Sequence, residues 1–178
     1  MNPNACTPQT QANTAKTWIN LMTDPHVQKN TRASHVTLSQ LMHPEHANNH
    51  GNVHGGWIMK LVDEAGALAC MRHAQKKVVT VAIDSMTFRQ PIRIGDLIVL
   101  NAEVTYTGHT SMEAEVQVIA ENPITGERTH TNTAYLVYVA LDDEGRPTTV
   151  PALVLETEEE IKRMEQAKKR QAHRISQK

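Results

Sequence analysis

Residues 48–73 read NNHGNVHGGWIMKLVDEAGALACMRH, and the architecture of the chain follows from them. The first part of this stretch is polar and contains Gly51, Gly55 and Gly56. A glycine inside a helix costs about 1 kcal/mol relative to alanine, whereas it suits a backbone that turns sharply or lies against a ligand. We therefore predict a glycine-rich loop that leads directly into a helix beginning near Trp57.

The predicted helix is apolar around most of its circumference. Its apolar residues recur at helical spacing: Ile58, Leu61, Val62, Ala65, Leu68 and Ala69. At about 100° per residue, Lys60 and Glu64 share one polar edge, and Asp63 falls on the other side, near Met59, Gly66 and Cys70. A carboxylate in such surroundings is unfavourable unless it is paired or has a chemical task. Asp63 is therefore a candidate functional residue; the alternative is an aspartate that faces water through a gap.

The composition indicates one domain with extensions. The chain has 178 residues, of which 39% are hydrophobic, and a formal net charge of -1, which gives no overall attraction to nucleic acid or to an anionic membrane. No stretch approaches the ~18 apolar residues of a membrane span, and the N-terminus lacks the apolar segment of a signal peptide. We expect a cytoplasmic protein with neither a nucleic-acid nor a membrane partner. Cys6 and Cys70 lie in such different contexts that we expect no disulfide between them.

After His73 the hydrophobic period changes from helical to two, which indicates strands. We predict a short strand before the helix and four strands after it, at residues 35–42, 78–83, 97–106, 112–120 and 131–141. A bulge is expected near Asp84, and Glu113, Glu115 and Gln117 are expected on a solvated face. One helix and an antiparallel sheet define an α+β fold. A single sheet covers only part of an apolar helix, so we also expect an oligomer.

The chain divides into three predicted segments. Residues 1–34 form a tail with a short helix around residues 15–22, residues 35–153 form the domain, and residues 154–178 form a charged helix. This last helix is acidic at its start and basic at its end, which the helix dipole favours. We interpret it as a solvated face; contact between its basic end and a phosphate is the alternative.

The pattern of Asn48, Gly51, Gly55–Gly56, Ile58 and Asp63–Ala65 resembles the acyl-CoA thioester hydrolases of the hotdog fold, specifically the cytosolic family whose animal members carry two hotdog domains. The resemblance extends over residues 38–170 and is also specific at residues 88–96, 106–113 and 150–151. It implies a hotdog fold, in which an antiparallel sheet wraps a long central helix. It also implies assembly as hotdog dimers or as trimers of dimers, that is, a hexamer.

The resemblance further implies that the chain hydrolyses fatty acyl-CoA to free fatty acid and CoA. The family's functional asparagine and aspartate match Asn48 and Asp63, and they come from different hotdog units, so a homodimer is required. Thioester hydrolysis needs an activated water, a base and donors for the developing oxyanion. Asp63 is the predicted base, and Asn48 holds the water or the thioester carbonyl. Asn52 and the backbone N–H groups of Gly55 and Gly56 are predicted to position the substrate; otherwise Asn52 caps the helix.

Two further segments are predicted to bind CoA. Arg93 lies beside a turn, where it can meet a phosphate, and Thr110 and Ser111 follow a turn at Gly108 and offer hydroxyl and backbone donors. Ordinary turn chemistry is the alternative for each of them. The acyl chain is predicted to lie along the helix face near Met59, Gly66 and Cys70, where small residues leave room. No cofactor is required, since CoA enters as part of the substrate and leaves as product. Relatives regulated by nucleotides make a nucleotide regulator an open alternative.

Four histidines are spaced by three, four and four residues: His43, His46, His50 and His54. On a helix they would share one face suited to a metal ion. Because Pro44 and Gly51 interrupt any such helix, we predict no metal site. Two other functions stay open at this point. One is a non-catalytic acyl-CoA-binding sensor, and the other is a hotdog hydroxyacyl-thioester dehydratase that uses a His54–Asp63 pair.

Overall fold

The computed structural model describes residues 28–88 and 90–177. Its helices and strands are β1 (Lys29–Asn30), β2 (Val36–Leu41), α1 (Gly55–Ala74), β3 (Lys77–Met86), β4 (Leu97–Thr107), β5 (Ser111–Glu121), β6 (Arg128–Leu141), β7 (Leu153–Val154) and α2 (Glu158–Ser176). Short 3-10 turns precede β2 and follow it, at Thr31–Ser34 and Pro44–His46. Neither described helix is long and apolar enough to cross a membrane.

Five strands form one antiparallel sheet in the order β2-β4-β5-β6-β3. α1 packs across one face of this sheet, on a core of small and branched residues that includes Val104, Val116 and Leu136. The predicted α+β hotdog fold, with a long helix and an antiparallel sheet, is therefore confirmed. One feature of the topology is not visible in the sequence: β3 and β4 follow each other in the chain but are not neighbours, since β3 pairs with β6 at the edge of the sheet.

The helix α1 begins at Gly55, two residues before the predicted start at Trp57. The Nδ1 atom of His54 accepts a hydrogen bond from the Gly56 N–H at 2.9 Å. This bond satisfies one of the donors that a helix start leaves unpaired, so Gly55 and Gly56 join the first turn of the helix. Their prediction as loop residues is therefore wrong. Gly51 differs from both, because its φ of +79° is a left-handed conformation that favours glycine.

The single chain covers only one side of α1. Positions that face the sheet are buried, among them Ile58, Leu61, Val62, Ala65 and Ala69. Met59, Leu68 and Met71 on the remaining surface are 42%, 38% and 36% exposed. Complete burial of a side chain of this size contributes about 1.5–3 kcal/mol. Part of the apolar circumference that the sequence shows is thus left uncovered within one chain.

The edge strand β3 also carries exposed apolar side chains. Val79, Val81 and Ile83 are 43%, 55% and 43% exposed. The pairing of β3 with β6 shifts register twice, so that Val81 and Asp84 each stand opposite no partner residue. The bulge predicted near Asp84 is confirmed, and the one at Val81 was not foreseen. An uncovered edge strand with apolar side chains is a ready surface for pairing with another strand.

The outer face of β5 differs from the prediction. Glu113 and Glu115, which were expected to be solvated, are only 1% and 5% exposed. α2 lies across this face, where Arg170 Nη2 donates to Glu113 Oε1 at 2.7 Å and the guanidinium lies 3.6 Å from the centre of the Tyr135 ring. Arg174 pairs with Glu113 as well and with Asp84. The interpretation of α2 as a solvated face is therefore wrong, because its arginines pair with carboxylates of the strands beneath it.

Residues 29–34 belong to the fold, although they were predicted as part of the tail 1–34. β1 pairs in parallel with β7, and the Oγ of the buried Ser34 accepts a hydrogen bond from the Val104 N–H at 2.9 Å. The predicted boundary at residue 153 likewise divides β7. The rest of the predicted tail, residues 1–27, and its short helix around residues 15–22 lie outside the described residues.

A buried histidine ties the end of α1 to the segment before β7. His73 is fully buried, and its Nε2 donates to the carbonyl oxygen of Pro151 at 2.9 Å. Burial lowers the pKa of His73, the bond to Pro151 partly opposes this, and the nearby Lys29 lowers it further. The folded chain therefore holds this imidazole in its neutral form near neutral pH.

This histidine makes stability depend on pH. In the unfolded chain its pKa is about 6.5, above the lowered value in the folded chain. Below pH ~6.5 the unfolded chain takes up a proton that the folded chain does not, so the free energy of unfolding falls as the pH falls. We expect the thermal midpoint to drop between pH 7.5 and 5.5, and to drop less in His73→Gln. The exposed His109→Gln is the control; an equal pH slope in native chain and His73→Gln would contradict this account.

Candidate active site

The side chain of Asn48 organises the loop before α1. Its Oδ1 accepts hydrogen bonds from the N–H of His50 at 2.8 Å and from the N–H of Asn52 at 3.2 Å. Two backbone donors identify this atom as the amide oxygen. The oxygen is thereby occupied, and the amide NH₂ remains as the group that can meet a ligand. Asn48 is therefore built to donate to an acceptor such as a carbonyl oxygen.

An apolar cavity of about 280 Å³ lies beside this loop and the start of α1. Its walls come from the loop, the first turn of the helix and the segment that follows β3. The lining residues are Asn48, Asn52, Val53, Gly55, Ile58, Phe88, Gln90, Pro91 and Ile92. The amide of Asn48 therefore stands at the edge of a cavity whose other walls are mainly apolar.

The predicted positioning residues divide between this cavity and the helix cap. Asn52 and Gly55 line the cavity, and a Cβ added at Gly55 would lie 3.5 Å from Cζ of Phe88. The N–H of Gly56, in contrast, already donates to His54 Nδ1. Gly56 is therefore unsuited to bind an oxyanion in this conformation. The helix is capped by His54, so the alternative role of Asn52 as the cap is wrong.

The carboxylate of Asp63 lies on the side of α1 that faces β3 and β6. Its Oδ1 accepts a hydrogen bond from Thr80 Oγ1 at 2.7 Å and lies 3.2 Å from the hydroxyl oxygen of Tyr138. The same Tyr138 hydroxyl lies 2.9 Å from the backbone oxygen of Asp63. Among the described residues, Oδ2 has no hydrogen-bond donor. One oxygen of the carboxylate is thus held, and the other is available to a water molecule.

The two candidate catalytic side chains are not close together within one chain. Asp63 lies eight residues after Gly55, which corresponds to about 12 Å along the helix axis, and Asn48 lies in the loop before that helix. Asp63 is not among the residues that line the Asn48 cavity. Each chain therefore presents two separate half-sites, one at the start of α1 and one near its middle.

The predicted CoA-binding residues also fall at two different places. Arg93 is exposed and lines a polar cavity of about 240 Å³ that shares Gln90 and Pro91 with the apolar one. Thr110 and Ser111 lie at the turn between β4 and β5. The eleven residues of β4 span about 34 Å, which separates this turn from Arg93. Ser111 pairs with Val139, the neighbour of Tyr138, so this turn lies on the side of the Asp63 half-site.

Part of the predicted acyl-chain surface is occupied by the protein itself, although Met59 is 42% exposed. We expected the small residues near Asp63 to leave room, but a Cβ added at Gly66 would lie only 2.5 Å from the Tyr138 hydroxyl oxygen. Cys70 is fully buried in the core, and burial raises the pKa of its thiol. The room at this face of α1 is filled by the Tyr138 side chain. The apolar cavity lies instead at the start of the helix.

The histidines have structural contacts. His46 is buried, stacks on Trp57 with ring centres 4.2 Å apart, and accepts a hydrogen bond from the N–H of His43. His54 caps α1 nine residues, or about two and a half helical turns, before Asp63, so within one chain the two do not form the pair that the dehydratase hypothesis requires. Within residues 28–88 and 90–177, no group of three His, Cys, Asp or Glu side chains could hold a metal ion.

Two residues of the Asp63 half-site were missed in the sequence. Thr80 is the one hydroxyl residue in the otherwise apolar run from Val78 to Ile83, and that isolation is a signal that it has a polar partner. Tyr138 carried no comparable signal, because a tyrosine within a strand is ordinary. Its contact with Asp63 depends on the pairing of β3 with β6, which the sequence does not reveal.

Comparison with known proteins agrees with this fold. The profile of the thioesterase superfamily matches residues 50–127. An uncharacterised acyl-CoA thioester hydrolase of Bacillus subtilis is 40% identical over 130 residues, 73% of this chain and 76% of that protein. The cytosolic acyl coenzyme A thioester hydrolase of Rattus norvegicus is also 40% identical, over 139 residues, which are 77% of this chain and 36% of the rat protein.

Solved structures of acyl-CoA thioesterases are also similar to this chain. A crystal structure of an apo-hexameric acyl-CoA thioesterase is 38% identical with a TM-score of 0.81, over 85% of this chain and 97% of that one. An acyl-CoA hydrolase from Staphylococcus aureus, solved with butyryl coenzyme A and coenzyme A, is 33% identical with a TM-score of 0.79, over 85% and 92%. The fold is thus that of the hotdog thioesterases. The chain belongs to the family of acyl-CoA thioester hydrolases, and the family predicted from residues 48–73 is confirmed.

Proposed function

We propose that this chain hydrolyses fatty acyl-CoA to the free fatty acid and CoA. The observation that carries the proposal is that Asn48 presents a hydrogen-bond donor and Asp63 presents an acceptor. Among the described residues, the oxygen of Asn48 is occupied and its NH₂ has no partner, so it suits the thioester carbonyl. Within the same part of the chain, Asp63 has one oxygen held by Thr80 and no donor to the other, so it suits a water molecule.

The proposed reaction proceeds by direct attack of water. Asp63 Oδ2 takes a proton from the water as its oxygen bonds to the thioester carbon, and the carbonyl oxygen gains negative charge. The amide of Asn48 and the backbone N–H of Gly55 donate to that oxygen. The C–S bond then breaks, CoA leaves as the thiolate, and the proton passes from Asp63 to sulfur. No cofactor is needed, since water, carboxylate and donors supply the chemistry and CoA is part of the substrate.

The Staphylococcus aureus hydrolase supports this choice of residues. Its solved variants replace an asparagine, an aspartate and a threonine by alanine at positions 15 and 17 residues apart. The same spacings separate Asn48 from Asp63 and Asp63 from Thr80 in this chain. Each of the three residue types recurs at the corresponding position.

We further propose that the working site joins half-sites from two copies of the chain. The exposed apolar edge of β3 suits pairing with the β3 of a second copy about a two-fold axis. Such antiparallel pairing reverses one chain relative to the other. It therefore turns the Thr80 region of one copy toward the Phe88 region of its partner, and brings Asp63 toward the partner's Asn48. The hexameric relatives are consistent with a trimer of such dimers.

The substrate is proposed to contact the half-sites of both copies of the chain. The guanidinium of Arg93, at a polar cavity that Asp96 and Glu127 also line, is proposed to meet a phosphate of CoA, and Thr110 and Ser111 would approach the ligand from the other copy. The apolar cavity lined by Ile58 and Phe88 suits the acyl chain, in place of the helix face first expected. A cytoplasmic location, which agrees with the cytosolic relative, stays a prediction, and a nucleotide regulator stays an open alternative.

Loss of the base is the direct test. We expect Asp63→Ala to fold and assemble but to release free thiol from a panel of acyl-CoAs at least about 100-fold more slowly than the native chain. The matched control is Glu64→Ala, which removes the neighbouring exposed carboxylate of the same helix. Full activity in Asp63→Ala would contradict the assignment of Asp63 as the base. No thiol release by the folded, oligomeric native chain would favour the acyl-CoA sensor instead.

Mixing two inactive variants tests the shared site. When Asn48→Ala and Asp63→Ala chains are refolded together, half of the dimers are mixed, and each mixed dimer contains one site with both native residues. We therefore expect about a quarter of the native activity to return. Each variant refolded alone is the control. Absence of recovery, with mixed dimers shown by mass spectrometry, would place both residues in one chain.

The location of the acyl chain predicts a change in chain-length preference. Phe88→Ala enlarges the apolar cavity, so kcat/KM should rise for longer acyl chains relative to short ones. Each additional buried methylene contributes about 0.8 kcal/mol, or about fourfold in kcat/KM. Ile124→Ala, which truncates an exposed apolar side chain at the β5–β6 turn, is the control. An unchanged profile across the acyl-CoA panel would remove the acyl chain from this cavity.

A further inference from the structure

We propose that Tyr138 is a positioning residue for hydrolysis, whose hydroxyl holds the Asp63 carboxylate in the orientation that leaves Oδ2 free for the attacking water. Tyr138 lies on β6, its ring points toward α1, and it is fully buried. The inference rests on the proposed function, because it assigns a role in the same reaction. It gives a role to the Tyr138 hydroxyl, which does not itself contact the substrate.

The hydroxyl contacts two atoms of one residue. Its oxygen lies 2.9 Å from the backbone oxygen of Asp63 and 3.2 Å from Oδ1 of the same aspartate. A contact with both the main chain and the side chain fixes the side-chain rotation of that residue. Thr80 Oγ1 approaches Oδ1 from β3 at 2.7 Å, so hydroxyls from two strands hold one carboxylate oxygen. A base held in this way loses little orientational freedom on reaching the transition state.

The chain makes space for this hydroxyl at Gly66. A Cβ at that position would lie 2.5 Å from the hydroxyl oxygen of Tyr138 and 3.1 Å from its Cε2 and Cζ. Glycine in a helix interior costs about 1 kcal/mol relative to alanine. The backbone of Gly66 is ordinary helix, so the close approach of Tyr138, and not a special conformation, explains the glycine.

The hydroxyl also stays a donor. Burial raises the pKa of Tyr138, and the negative charge of Asp63 raises it further. The phenol is therefore protonated throughout the pH range in which a thioesterase is assayed. Removal of the hydroxyl should therefore cost the carboxylate one of the two hydroxyl contacts that orient its Oδ1.

The experiment compares Tyr138→Phe with the native enzyme and with Tyr135→Phe. The control removes a hydroxyl from the same strand, but on the face covered by α2. We expect Tyr138→Phe to keep the thermal midpoint and assembly, and to lower kcat about 3- to 10-fold with little change in KM. Tyr135→Phe should leave all of these unchanged.

A second variant keeps the test valid if loss of the hydroxyl disturbs folding. Gly66→Ala retains the hydroxyl but displaces it, and we expect a similar loss of kcat with little change in KM. In the Tyr138→Phe background the closest clash is gone, so Gly66→Ala should add little further loss. This non-additivity is not expected if alanine acts only by straining the helix.

The outcomes separate this inference from the function on which it rests. A native chain without acyl-CoA hydrolysis overturns the proposed function. An active native chain with unchanged kcat in Tyr138→Phe overturns the role of Tyr138 alone. A lower kcat in Tyr138→Phe that is matched by an equal loss in Tyr135→Phe shows a merely structural effect and overturns it as well.

Discussion

Packing of one apolar helix across a five-stranded sheet fixes the position of every candidate functional group in this chain. α1 buries the side that faces the sheet, so its rotation about its own axis is set by Ile58, Val62, Ala65 and Ala69. That rotation directs Asp63 toward β3 and β6, where two hydroxyls receive it. The start of the same helix ends the Asn48 loop and borders the apolar cavity. A helix turned by one residue, about 100°, would lose the core and both half-sites together.

The helix and strands were predicted well from the sequence, because each has a hydrophobic period within its own residues. The helical period in residues 58–69 and the period of two in the strands identified α1 and the five strands of the main sheet within a few residues. The bulge near Asp84 followed from a break in that period. The cap of α1 was misjudged, because a histidine imidazole took the role that is commonly filled by Asn or Ser. Strand neighbours were not predictable, since pairing joins residues far apart in the chain.

The site was predictable to the extent that one side chain conflicts with its surroundings. Asp63 stood out as a carboxylate among apolar and small residues, and the structure gives it two hydroxyl neighbours. Thr80 and Tyr138 do not conflict with a strand environment, so nothing local marks them. The prediction that the outer face of β5 is solvated was wrong for the same reason. Alternating glutamates usually indicate a solvated face, and only α2, more than forty residues later, brings the arginines that bury Glu113.

Separation of the two half-sites along α1 has a consequence for how such chains can evolve. When each reaction centre takes Asn48 from one copy and Asp63 from another, a gene duplication releases half of the constraint on each copy. One daughter can lose its asparagine and the other its aspartate, and the pair retains one complete centre. The vacated centre is then free to acquire a different ligand. A covalent fusion of two such daughters would hold the asymmetric pair in fixed proportion.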